Sequence, residues 1–328
     1  MARPDADRTP AFPAQTIGEA GVSVLAGKVR RRYSVLTSGD KLTIALMVGI
    51  PLFFDLALIW GPTIASIALS FTNWHGVGAI TSRNLVGIQN YQQLFSGSYL
   101  FFYPALVHNL IWLAFLMLVA TPLGILMAVL LDREIRGTSF YQTVFYLPVV
   151  LSLAIIGIIW QFIYSQDNGF IDAVLRGVGV ANPPDWFGDS SLNLWAALVA
   201  VSWRHVGYIM LLYLAGLKSF DPSLREAAMS DGANEVQIFF RIVFPVMRPI
   251  NTVVVVITTI EALRAFDIAY IINGGRNGLE LLSTLITNNS LSEASRVGFG
   301  SAIAVVLLVI SLVPIVTFLV RTARQDAR

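Results

Sequence analysis

Six long apolar stretches divide the chain, and polar segments separate them. They cover residues 42–69, 106–131, 144–164, 194–217, 249–272 and 302–320. A helix that crosses a bilayer needs about 20 mostly apolar residues, so each stretch is long enough to span a membrane. The pattern predicts an all-α, polytopic membrane protein with six transmembrane helices.

The composition supports a chain that needs lipid. Of its 328 residues, 55% are hydrophobic and 13% are charged, whereas soluble domains have about 25% charged residues. So few charges exclude a disordered, fibrous or nucleic-acid-coating protein, and the net charge of +2 gives no reason to expect a nucleic-acid partner. The absence of cysteine excludes disulfides and thiol nucleophiles. His75, His108 and His205 are far apart and show no metal-ligand spacing.

The basic residues indicate how the spans are oriented. Of the 22 Lys and Arg residues, 16 lie in four segments that share one side of the membrane in a six-span arrangement, and 4 lie on the other side. Those four segments are 1–41, 132–143, 218–248 and 321–328. Basic residues are enriched in cytoplasmic loops, so both termini are expected in the cytoplasm and the chain in the cell (inner) membrane.

The same reading divides the chain into three parts. Residues 1–41 are expected to form a cytoplasmic N-terminal arm, residues 42–321 the six-span domain, and residues 322–328 a cytoplasmic tail. The first apolar run is too long for the core of a cleaved signal peptide, so the arm is expected to stay attached.

The loop 218–248 has the features of a capped helix followed by a turn. Asp221 is a good N-cap and Pro222 suits the first helical position, which predicts a helix from Pro222 to about Ser230. Gly232 permits a turn after it, and a second helical piece is expected to be closed by Pro245 and Pro249. The small residues Ala227 and Ala228 give one face on which a partner can approach. From these features alone, the helix either rests on lipid headgroups or docks to a partner.

The loop carries a spaced motif with a known counterpart. It consists of Glu226, Ala227, Ala228, Gly232, Ile242 and Pro245, extended by Asp231, Ala233 and Pro249. This spacing resembles the signature of permease subunits of binding-protein-dependent ABC importers, with Phe244 in place of the usual Leu. Further matches resemble the maltose-type carbohydrate branch: Arg136-Gly137, Leu147-Pro148, Phe266-Asp267 and the segment 298–302. The turn at 273–276 departs from that branch, with Asn273 for Thr and Arg276 for Pro. The resemblance covers residues 42–321.

The resemblance implies an ABC importer permease fold and a set of partners. The 222–232 helix would dock on a cytoplasmic ATPase dimer, with coupling carried by Glu226, Ala227, Ala228, Asp231, Gly232, Ala233 and Pro245. The chain would be a non-catalytic subunit without a cofactor of its own, because ATP and Mg would bind to the ATPase; its sequence has no Gly-rich phosphate loop. A second, different permease subunit, an extracytoplasmic substrate-binding protein and a sugar substrate would complete the system.

Several ionisable or polar side chains are predicted near the middle of the bilayer. They are Arg204, His205, Tyr208, Glu261, Arg264 and Asp267, with Asp55 at a similar depth in the first span. Such groups are costly in lipid and usually functional. They form either a polar translocation path or ion pairs that join helices, with Glu261 bonded to Arg264 or to Arg204. The resemblance favours the path, and the zero formal sum of Asp55, Glu261, Arg204 and Arg264 suits a neutral polyhydroxylated substrate.

Other functions remain open at this point. A glycerol-phosphate or polyol importer would share the same family features. An ion-coupled secondary transporter would use mid-membrane charges too, but it is expected to show internal repeats or interrupted helices. A membrane-embedded hydrolase would need a nucleophile and base at matched depth, which the sequence does not suggest.

The orientation leads to a first prediction. In this cysteine-free chain, a single Cys placed at Ser98 or Asp189 should react with a membrane-impermeant thiol reagent added outside the cell. A Cys at Ser34 or Asp326 should react only after the membrane is permeabilised. The opposite labelling pattern would contradict the orientation.

Overall fold

The computed structural model describes residues 37–133, 137–291 and 295–326. Most of the predicted N-terminal arm and the ends of the C-terminal tail therefore lie outside the described residues, as does Arg136. Within the described ranges the chain is helical, without β-strands, and one antiparallel bridge joins Thr72 to Leu85. The all-α prediction is confirmed.

The chain falls into two units, residues 1–59 and 60–328. The described part of the first unit begins with α1, Ser38–Asp55, whose N-terminus is closed by a capping box between Thr37 and Asp40. Asp55 ends this helix and is half-buried. A π-helical segment, Leu56–Trp60, follows.

The second unit contains the remaining helices, and two of its π-helical segments interrupt long helices. In chain order the α-helices are α2 Gly61–Leu69, α3 Gln89–Phe95, α4 Phe102–Phe115, α5 Thr121–Asp132, α6 Thr138–Val150, α7 Leu153–Ile163, α8 Phe170–Gly177, α9 Asn193–Lys218, α10 Pro222–Ser230, α11 Glu235–Ile238, α12 Phe244–Val246, α13 Arg248–Leu263, α14 Asp267–Asn273, α15 Leu282–Ser290 and α16 Val297–Asp326. The π-helical segments are Leu116–Ala120, between α4 and α5, and Phe239–Val243, between α11 and α12. Ser82–Asn84 is a short 3₁₀ helix.

The predicted spans are present, but the third is bent within its apolar stretch, and the fifth meets the length test only together with the preceding loop segment. Among the described residues, four helices are long and apolar enough to cross a membrane by themselves: Gly39–Leu69, Phe102–Asp132, Asn193–Lys218 and Val297–Phe318. Two helix pairs meet the same test only together, α6 with α7 at 106° and Glu235–Val246 with Arg248–Asn273 at 79°. Six spans result if each bent pair counts as one.

The bend between α6 and α7 has a local cause. Pro148 lies inside the last turn of α6, where its missing N–H and its ring disfavour continuation of the helix. Leu151 and Ser152 are extended, and the hydroxyl of Ser152 accepts a hydrogen bond from the N–H of Ile155 at 3.3 Å, which starts α7. The apolar stretch 144–164 is therefore two helices and not the single straight helix that its hydropathy suggests.

The helix α9 forms the centre of the second unit. Thirteen of its residues are buried, and it contributes to an apolar cluster with Trp112, Ile156 and Ile268 and to another with Ala128, Ile238 and Val254. Because both clusters share α9, this helix joins the middle of the bundle to the 218–248 loop.

Two glycines let neighbouring helices approach α9 closely. A Cβ atom on Gly207 would lie 2.1 Å from the Phe145 carbonyl oxygen of α6, and one on Gly124 of α5 would lie 2.8 Å from the Val206 carbonyl oxygen of α9. Small residues at helix crossings allow such backbone contact in membrane proteins.

Candidate functional site

The helix α10 is closed at both ends by its own sequence. At its start the Asp221 carboxylate accepts a hydrogen bond from the Ser223 N–H at 2.9 Å, and Pro222 fills the first position. At its end Gly232 has a φ of +81°, and the N–H groups of Gly232 and Ala233 donate to the carbonyls of Met229 and Ala228, both at 3.0 Å. This pair of bonds is the Schellman motif, which needs a left-handed residue at the position of Gly232. The predicted bounds of the helix and its turn are confirmed.

The N-terminal cap of α10 depends on an ionised carboxylate. The backbone N–H of Ser223, which donates to the Asp221 carboxylate, holds the pKa of that carboxyl below its usual value. The stabilisation from this cap is therefore present above the ordinary carboxyl pKa and is lost as the pH falls through the lowered one.

The two alanines of the motif face different surroundings. Ala228 is 7% exposed and packs inward in the cluster that contains Tyr213, Ile238 and Val243. Ala227 and Glu226 are exposed, as are Leu224 and Met229. The expectation that both alanines form the partner-facing surface is therefore wrong for Ala228, because its methyl group fills the contact between α10 and the rest of the protein.

Ion pairs hold α10 against the neighbouring segments. The Glu235 carboxylate accepts from Arg225 at 2.6 Å and from Arg133 at 3.4 Å, through the same Oε2 atom. Glu235 begins α11, Arg225 lies on α10 and Arg133 follows α5. The side chains are one-third to one-half exposed, so their main effect is to set the position of the loop, since exposed ion pairs add little stability.

The second helical piece of the loop ends next to Pro245, as predicted. It runs from α11 through the π-helical segment Phe239–Val243 into α12, Phe244–Val246, so Pro245 lies in its last turn. Proline disfavours continuation of a helix because it lacks an N–H and its ring meets the preceding turn. The chain turns at Met247, and Pro249 then lies in the first turn of α13.

A second polar site lies between α5, α9 and α13. The Glu261 carboxylate accepts from Arg204 Nη1 at 3.3 Å and lies 2.9 Å from His205 Nδ1. The other ring nitrogen of His205 lies 3.1 Å from the Thr121 hydroxyl and 3.4 Å from that of Thr258. His205 can therefore donate to Glu261 through Nδ1 and accept from Thr121 through Nε2.

The network is buried on one side and open on the other. His205 is 1% exposed, whereas the side chains of Arg204 and Glu261 are 23% and 30% exposed. A cavity of ≈20 Å³ lies beside it, lined in part by Trp112, Arg204, His205 and Glu261, and has room for one water molecule. Two buried donors, Trp112 Nε1 and Arg204 Nε, have no hydrogen-bond partner within the part of the chain that the structure describes.

The remaining predicted path residues are distributed around this network. Tyr208 is half-buried one turn from Arg204 on α9, on the same side of the helix. Arg264 and Asp267 are exposed, and they flank the interruption between α13 and α14. Among the described ion pairs, Glu261 bonds to Arg204 and not to Arg264.

Sequence reasoning missed both threonines of the network. Thr121 and Thr258 are buried, at 5% and 0% exposure, and their hydroxyls lie 3.3 Å apart. The sequence signal that could have identified them is a hydroxyl side chain within an apolar stretch, at the same predicted depth as Arg204 and Glu261.

Comparisons with known proteins agree with the loop motif. The family model for the binding-protein-dependent transport system inner membrane component matches residues 120–328. The chain is 34% identical over 269 residues to the probable ABC transporter permease protein YurN of Bacillus subtilis, covering 80% of this chain and 90% of the relative. It is 32% identical over 267 residues to the xylose/arabinose import permease protein XacH of Haloferax volcanii, covering 80% and 83%.

A solved structure shows the same fold. It is a bacterial ABC transporter involved in the import of the acidic polysaccharide alginate, and the match has a TM-score of 0.72. The two chains are 22% identical, and the match covers 87% of this chain and 96% of the other.

The network leads to a second prediction. Thr121→Val keeps the shape of the side chain but removes the hydroxyl that bonds to His205 and Thr258. Hydrogen bonds between membrane helices contribute about 0.5–2 kcal/mol, so the thermal unfolding midpoint of the purified protein should fall by a measurable amount.

Thr259→Val is the matched control for this prediction. Thr259 is also buried, but among the described residues its hydroxyl bonds only to the Val255 carbonyl of its own helix, at 2.8 Å. Its substitution should change the midpoint less than that of Thr121. Equal changes in the two variants would show that the network does not join the helices.

Proposed function

The chain belongs to the family of binding-protein-dependent transport system inner membrane components, and we propose that it is the permease subunit of an ATP-driven importer of a carbohydrate. The observation that carries this proposal is the capped helix α10, which exposes the motif residues Glu226 and Ala227 and is followed by Gly232 in its closing turn. A short helix that is closed at both ends, fixed to the bundle by Ala228 and exposed elsewhere is suited to bind a partner subunit.

In the proposed mechanism, α10 docks to a separate cytoplasmic ATPase. ATP and Mg bind to that ATPase, and closure of its dimer moves α10. Because Ala228 belongs to the same buried cluster as Tyr213 of α9 and Val254 of α13, displacement of α10 can reach, through that cluster, the two helices that carry Arg204 and Glu261. The ion pairs from Glu235 to Arg225 and Arg133 help to set the position of the loop beside α5.

The substrate path is proposed to run along the open side of the Glu261 network. Arg204 and Glu261 there offer hydrogen-bonding groups of opposite charge, and Tyr208 adds an aromatic face. Phe266, which precedes α14, stacks on Tyr270 of that helix with the two ring centroids 4.9 Å apart, and Tyr270 is the more exposed of the two side chains. Paired charges and aromatic rings suit a neutral, polyhydroxylated molecule, and the xylose/arabinose permease among the relatives supports a sugar as cargo.

The path needs further subunits to be complete. The described residues beside Arg204 and Glu261 enclose only the ≈20 Å³ cavity, far smaller than the roughly 300–1,000 Å³ of small-molecule sites. We therefore propose that a second, different permease subunit supplies the opposite wall. An extracytoplasmic binding protein would deliver the sugar to the side that carries the 70–105, 165–193 and 273–300 loops, with both termini in the cytoplasm.

A third prediction tests the coupling role of α10. Gly232→Val places a β-branched side chain at a φ of +81°, where it is strained, so the Schellman turn should open and α10 should lose its fixed position. Sugar import by the assembled transporter should fall at least tenfold, while the protein still inserts in the membrane. Import is measured with radiolabelled mono- and disaccharides and a polyol, in proteoliposomes that also contain the second permease subunit, the binding protein and the ATPase from the same gene cluster.

Gly232→Asn is the control for that experiment. Asn adopts the left-handed conformation more readily than other residues, and open space surrounds this position, so import should be largely retained. If Gly232→Val imports at the unmodified rate, the docking role of α10 is wrong. If the unmodified transporter takes up the polyol and no sugar, the carbohydrate assignment is wrong.

A fourth prediction concerns the substrate path. Tyr208→Ala removes an aromatic face, and aromatic contacts contribute about 0.5–1.5 kcal/mol, so the import rate should fall roughly two- to tenfold. Tyr208→Phe keeps the ring and should retain most of the import. ATP hydrolysis stimulated by the binding protein should persist in both variants, because α10 is unchanged. Normal import by Tyr208→Ala would remove Tyr208 from the path.

A further inference from the structure

A large apolar groove in the second unit shares no lining residue with the ≈20 Å³ cavity beside Glu261. It has a volume of ≈540 Å³ and runs between α5, the return segment 235–244 and α13. Its walls include Leu126 and Leu130 of α5, Phe239 and Phe240 of the π-helical segment, and Val255 of α13. Leu126, Leu130 and Phe240 are 49%, 42% and 64% exposed, so the groove is open to its surroundings.

The length of the groove matches one leaflet of a bilayer. Along α5 its lining begins at Thr121 and Pro122 and ends at Arg133. At 1.5 Å per residue, Pro122 to Arg133 rises roughly 17 Å, and half of the hydrocarbon core is about 15 Å thick. Thr121 contacts the network that the sequence places near the middle of the bilayer, and Arg133 follows the last turn of the helix, so at these predicted depths the groove would extend from the middle of the bilayer to its surface.

The surface end of the groove carries a net positive charge. Arg133 and Glu235 line it, and Arg225 shares the Glu235 oxygen with Arg133. Two guanidinium groups on one carboxylate leave a net charge of +1 among these described residues. The nearby Asp132 is bonded to Lys218 at 3.3 Å and adds no net charge.

We propose that this groove binds an anionic phospholipid, with an acyl chain along α5 and the phosphate at Arg133 and Arg225. An apolar slot of one leaflet's depth fits an acyl chain, and a basic group at the membrane surface attracts an anionic headgroup. The lipid would contact the return segment of the same loop that carries α10. It would thereby help to hold that loop against α5 and α13. The proposal does not depend on the identity of the transported solute.

Lipid binding to the purified full-length chain, with the subunits that co-purify, tests the proposal. Native mass spectrometry would measure bound phosphatidylglycerol and bound phosphatidylcholine with identical acyl chains. One unbalanced arginine at the membrane surface should favour phosphatidylglycerol about fivefold. Arg133→Gln should remove this preference, whereas Arg248→Gln, at an exposed arginine that does not line the groove, should keep it.

Filling the groove provides an independent test. Leu126→Trp should reduce the occupancy of both lipids, whereas Leu123→Trp should not, because Leu123 is similarly exposed on the same helix but lies outside the groove. Equal binding of the two lipids to the unmodified protein, or equal occupancy in the two Trp variants, would overturn the proposal.

A cross-linking experiment tests the competing occupant, a helix of another subunit. A photoactivatable benzophenone side chain placed at Leu126 should cross-link to phospholipid in native membranes, because the acyl chain would lie against this position. If it instead cross-links efficiently to a second polypeptide, the groove is a subunit interface and the lipid site is excluded. Neither result affects the import experiment, so the two proposals fail separately.

Discussion

The carboxylate of Glu261 is the group on which the arrangement of the central helices depends. A charge within a membrane span has no water to satisfy it and must find its partners in the protein. Glu261 finds Arg204 and His205 on α9, and His205 in turn contacts Thr121 on α5 and Thr258 on α13. One anion thus fixes the rotation of three helices, since turning any of them would leave a buried polar group unpaired.

This constraint also explains why the same residues serve as structure and as a candidate path. The buried partners, His205 and the two threonines, hold Glu261 from one side. Arg204 and Glu261 remain partly open on the other side. A polar group that is already held by its neighbours can face a passing solute without a large reorganisation. The two alternatives left open by the sequence, ion pair and path, are therefore compatible in a single site.

Local features of the fold were predictable from the sequence, and features set by distant contacts were not. The bounds of α10 follow from Asp221, Pro222 and Gly232, whose effects act within one turn of helix. The inward packing of Ala228 depends on Tyr213 and Ile238, which lie outside α10. The role of Thr121 was hidden because the π-helical segment Leu116–Ala120 precedes it, and one extra residue per turn rotates the following helix by about 100° relative to a regular pattern. The bend after Pro148 interrupts an apolar run without changing its hydropathy.

The close approach at Gly124 and Gly207 has a mechanical consequence. A Cβ atom on Gly207 would lie about 2 Å from the backbone of α6, and one on Gly124 of α5 would lie similarly close to the backbone of α9. These helices therefore have no space to rotate past one another. Rotation of α9 about its own axis would bring the larger Val206 or Tyr208 against α6. We therefore expect α5, α6 and α9 to move as one rigid body. Deformation should then be concentrated at the interruptions between α6 and α7 and between α13 and α14.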